Sequence, residues 1–91
     1  MINKTDFYID GKWVAPQQDT ALEVIDPSTE DAFATISLGG EADTNAAVAA
    51  AKRAFPAWSK TPPAERLALV KKIREIYKSR MDDMAAAISQ E

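Results

Sequence analysis

The chain has 91 residues, 46% of them hydrophobic, and a formal charge of −3, which argues against disorder and leaves room for one small folded unit at most. The acidic balance speaks against binding a phosphate backbone, and no apolar run approaches the roughly 20 residues that cross a bilayer. Cysteine and histidine are both absent, which removes disulfides, thiol chemistry, the commonest general base and the commonest metal ligand.

The opening "MINKTDFYIDGKW" lacks the apolar run of a signal peptide, so the default compartment is the cytoplasm. Its second half, "FYIDGKWV" at 7–14, reads as a β-hairpin. Asp10-Gly11 suits the two-residue type I′ turn, in which both residues need positive φ. A carboxylate presented at a loop tip is the less favoured reading of Asp10. A second hairpin is expected from "ALEVI" (21–25) and "AFATISL" (32–38), with Leu22 and Val24 on one face of the first strand. Ala32, Ala34, Ile36 and Leu38 share a face of the second. Between the strands, Pro27 pushes Asp26 out of the helical region, and Asp26, Ser28 and Thr29 are placed to bond nearby backbone amides.

Gly39-Gly40 marks the one shift in composition, from β-branched and aromatic residues to good helix formers. A helix is predicted from Glu41, with Glu41 and Asp43 complementing the positive end of its dipole. Val48, Ala51, Phe55 and Trp58 form one stripe at helical spacing. Pro56 is expected to stop or kink the helix beside Phe55, leaving Trp58 in irregular backbone. Pro63 is the natural first residue of the next helix, with Thr61 as the nearby capping side chain. Leu69, Val70, Ile73, Ile76 and Tyr77 then build an apolar face that Met81, Met84 and Ile88 continue, through a bend at Asp82-Asp83. Lys71 and Glu75 are spaced for a weak ion pair. The two helices are expected to fold back as an αα-hairpin, with Phe55 and Trp58 plugging its closed end.

Catalytic patterns are missing. "LGGE" (38–41) at a helix start offers a weak anion site, undercut by its own carboxylates. Asp82, Asp83, Glu65 and Glu75 read as solvated helix charge, as does the basic run Lys71, Lys72, Arg74, Lys78 and Arg80. The terminal helix is amphipathic, but its alanines and acidic pair give little drive into a membrane. It reaches "AAAISQE" without a Gly or Asn stop signal and reads as interrupted in mid-structure.

Taken together, "FYIDGKWV", "VIDPSTED", "ADTNAAVAAAKRAFPAWSKTPPAER" and "LALVKKIREIYKSRMDDMAAAISQE" resemble the N-terminal end of the NAD(P)-dependent aldehyde dehydrogenase superfamily. The most specific part is the spacing of Ala51, Ala54, Phe55, Trp58 and Arg66. Asp26 stands where many members have Asn, and Glu30 where many have Gly. The resemblance implies a parent several times longer, using NAD or NADP. In it a cysteine thiolate attacks an aldehyde, hydride passes to the nicotinamide and the thioester is hydrolysed, with amide donors on the oxyanion. None of those groups lies in this chain, so no catalytic, cofactor-binding or metal-ligating side chain is assigned. Some relatives hold a monovalent cation through backbone carbonyls just before the Asn-Pro turn; the matching positions are Val24 and Ile25.

The fold class expected is an α+β fragment, two antiparallel β-hairpins followed by an αα-hairpin, from an α/β, Rossmann-like parent. Residues 1–40 would be a β-hairpin layer and 41–91 a helical hairpin, together one incomplete N-terminal part of a larger cofactor-binding domain. Two functional classes follow. One is a structural segment of an aldehyde dehydrogenase, inactive alone, whose partner is the rest of the parent. The other is a free-standing α+β interaction module that self-associates through its helices. Neither calls for nucleic acid or membrane as a partner.

Overall fold

The computed structural model describes all 91 residues. Five strands precede three helices: β1 (Ile2–Lys4), β2 (Phe7–Ile9), β3 (Lys12–Val14), β4 (Ala21–Ile25), β5 (Ala32–Ser37), α1 (Glu41–Trp58), α2 (Pro63–Ser79) and α3 (Met81–Gln90).

The first hairpin forms as the turn chemistry requires. Asp10 and Gly11 have φ of 56° and 77°, and β2 pairs with β3 in antiparallel register, Tyr8 opposite Trp13. The second hairpin, β4 with β5, pairs Leu22 with Ile36 and Val24 with Ala34. Next to it Ile25 pairs with Ala32, so Phe33 is an extra residue on β5, a bulge at the end nearest the turn. Leu38 lies beyond β5, although its N–H still donates to Thr20 O at 2.8 Å.

Two hairpins are not the whole of the β region. β1 runs parallel to β5, Ile2 beside Ala34 and Lys4 beside Ile36, giving a three-stranded sheet in the order β1-β5-β4. The Ser37 hydroxyl donates to Thr5 O at 2.7 Å just past this pairing. β5 is thus the central strand, and Ala34 at its middle is buried.

Helix α1 starts at Glu41 after an extended Gly40 and runs through Pro56 to Trp58. The expected break beside Phe55 does not occur, and Trp58 is helical. Proline deletes one amide donor and crowds the carbonyl four residues earlier, yet only two residues of helix follow it. The Ser59 N–H still closes an α-type turn onto Phe55 O at 2.8 Å, and the Ser59 hydroxyl donates to Pro56 O at 2.9 Å.

Pro63 opens α2 as expected. Thr61 makes no capping bond; the Pro62 carbonyl instead accepts from the amides of Glu65 and Arg66 at 3.1 and 3.2 Å. The bend falls at Arg80 (φ −120°, ψ 19°), ahead of Asp82-Asp83. That acidic pair occupies the first turn of α3, where it meets the helix dipole, and Arg80 Nε reaches Asp83 Oδ2 at 3.2 Å. The Lys71–Glu75 pair is not formed.

The αα-hairpin does not close. Packing joins β4 with β5, β1 with β5, β2 with β3 and α1 with β2, and no two helices lie face to face. Phe55 is 66% exposed and Trp58 49%, so neither plugs anything. Accordingly, α2 and α3 contain no buried residue at all. The shape follows, 48 × 35 × 15 Å with a radius of gyration of 17.0 Å, against about 12 Å for a compact domain of this length.

Candidate functional site

No His, Cys, Asp or Glu cluster in the structure has the grouping to hold a metal ion, and the chain has no cysteine to serve as a thiol nucleophile. What the chain builds is a set of polar anchors at its turns and helix start, and apolar faces that lie bare.

The firmest anchor is Asp43. It is the third residue of α1 and is only 6% exposed. Its Oδ2 accepts the Gly40 N–H at 3.2 Å, closing the helix start, while Oδ1 accepts the Gln17 N–H at 2.8 Å from the connector after β3. The Gln17 amide, aided by those of Gly40 and Gln18, holds the Asp43 carboxyl below its ordinary value against the opposing effect of burial. The Asp43 carboxylate, with Glu41 beside it, already puts negative charge at this helix start, which counts against "LGGE" as a site for an external anion. A Cβ at Gly40 would displace the flexible end of the Gln18 side chain and sit tightly, at 3.2 Å, against Gln18 Cβ.

The turn after β4 is stabilised the same way. Ser28 donates to Asp26 Oδ1 twice, through its hydroxyl at 2.6 Å and its N–H at 2.8 Å, and holds the Asp26 carboxyl below its usual range. Asp31 N–H donates to Thr29 Oγ1 at 3.3 Å. Glu30 completes the turn with φ of 63°, a left-handed conformation that favours glycine. Val24 and Ile25 lie at the end of β4 beside this turn, half-buried and exposed respectively.

The β2–β3 hairpin rests on α1. Ile9 and Gly11 face Ala47, Ala50 and Ala54 across an open groove of about 350 Å³, and Asp10 Oδ2 lies 3.7 Å from Arg53 NH2. Both charges are largely solvated, so this pair contributes little. On the outer face Tyr8 and Trp13 pack as a tilted pair, ring centroids 5.2 Å apart, and stay mostly exposed.

The apolar stripe of α2 and α3 lies bare. Ile73, Ile76, Tyr77, Met84 and Ala87 line an open trough where the two helices meet at the Arg80 bend. Val48, Phe55 and Trp58 on α1 are likewise exposed. The basic residues of α2 sit in solvent with no acidic partner, and the nearest ion pair is Arg80–Asp83 at the bend. No helix is long and apolar enough to cross a membrane.

The model of the aldehyde dehydrogenase family matches residues 13–91. A 3-succinoylsemialdehyde-pyridine dehydrogenase from a Pseudomonas species is 44% identical over 86 residues, covering 94% of this chain and 18% of that protein. The crystal structure of an aldehyde dehydrogenase from Bartonella henselae superposes with a TM-score of 0.97 at 53% identity, covering 99% of this chain and 19% of that one. Aldehyde dehydrogenase C from Pseudomonas syringae, a cysteine-to-alanine variant solved with NAD+ and octanal, gives 0.93 at 41% identity, covering 94% and 18%. The chain spans less than a fifth of the length of these relatives. It belongs to the aldehyde dehydrogenase family.

Proposed function

We propose that these residues are the N-terminal structural segment of an enzyme that oxidises an aldehyde to a carboxylic acid with NAD or NADP, and that they contribute no catalytic, cofactor-binding or metal-ligating side chain. The observation that carries the reading is the bare apolar stripe of α2 and α3 in a chain that superposes on intact aldehyde dehydrogenases. A face of that kind in water needs a cover, and in the relatives over four-fifths of the chain lies outside the matched part. Residues 1–40 form the β layer and 41–91 the helical part of one incomplete unit, which the rest of a Rossmann-like cofactor domain completes. Separated from that cover, the chain self-associates through its helices. The enzyme works in the cytoplasm, and the Val24 and Ile25 carbonyls are available to a monovalent cation.

The test is a chimera in which these 91 residues replace the matched stretch of the Bartonella henselae enzyme. Aldehyde-dependent NADH formation within about tenfold of that enzyme supports the reading. A soluble, folded chimera without activity counts against it. The free-standing module has no observation in its favour, since relatives that match the whole chain extend far beyond it.

A further inference from the structure

We draw no further inference here: the strongest candidate, the open trough along α2 and α3 lined by Ile73, Ile76, Tyr77, Met84 and Ala87, belongs to the surface already assigned to the rest of the parent enzyme, and nothing in the structure shows which segment covers it.

Discussion

The Gln17 N–H donates to Asp43 Oδ1 at 2.8 Å, joining the connector after β3 to the first turn of α1 across 26 residues of sequence. With the Gly40 amide on the other oxygen, one carboxylate ties the β layer to the helical part. Asp43→Ala leaves both amides without this acceptor, whereas Asp43→Asn keeps one oxygen. Hydrogen exchange at Gln17 and Gly40 should therefore speed up strongly in the alanine variant and less in the asparagine variant. Unchanged protection in Asp43→Ala would show that the connector is held by something else.

Acid should reproduce the alanine effect. The Asp43 carboxyl titrates below its ordinary value in the folded chain, so it contributes stability that is fully present above the unfolded-state value of ~3.9. That contribution is lost as the pH falls through the depressed folded value. Melting temperatures of wild type and Asp43→Ala should differ at pH 7, and the gap should narrow as the pH falls through the depressed folded value. A gap that persists in strong acid would mean that the charge is irrelevant.

Glu30 holds a φ of 63° with a side chain that resists it. Glu30→Gly relieves about 1 kcal/mol of strain, partly offset by the freer unfolded chain, for a net stabilisation of about 0.5 kcal/mol. Urea denaturation reads this directly. A clear loss of stability would show that the Glu30 side chain makes a compensating contact.

Trp58 distinguishes the isolated chain from the assembled enzyme. At 49% exposure, Trp58→Ala should cost the isolated chain about 1 kcal/mol or less. In the chimera the rest of the enzyme is expected to cover the exposed α1 face as well, and the loss should then approach the ~3–5 kcal/mol of a buried core aromatic. Heat-inactivation rates of the chimera and denaturation of the isolated chain supply the two measurements. Equal, small losses in both would argue that the ring faces solvent in the enzyme as well.

The isolated chain should produce no NADH or NADPH from any aldehyde, because it has no thiol to form the thioester. It should also bind a hydrophobic dye or sediment as more than a monomer. Reproducible turnover by pure chain refutes the first expectation, and a dye-free monomer refutes the second.

The legible features were local ones. Asp10-Gly11 prescribes its turn, Pro63 its helix start, and the Asp26–Thr29 turn its bonds to neighbouring amides. Long-range relations were hidden. β1 is only three residues long and pairs with a partner some thirty positions away, so its own sequence carries no periodic signal. Asp43 could be placed at a helix start, but nothing in the composition points to Gln17 as its second partner. The helical hairpin failed for a different reason. An apolar stripe reports that a helix will be covered, and it is silent on what covers it. Pro56 misled because its effect depends on how many residues of helix remain beyond it.

The parallel pairing of β1 with β5 has a practical consequence for anyone handling the protein. Proteolytic clipping after Thr5, or a bulky tag that displaces Ile2–Lys4, would strip the backbone of Ala34–Ile36 of its neighbour and open a raw sheet margin. Such a margin templates other chains, so a trimmed preparation would be expected to form β-rich precipitates sooner than the intact one.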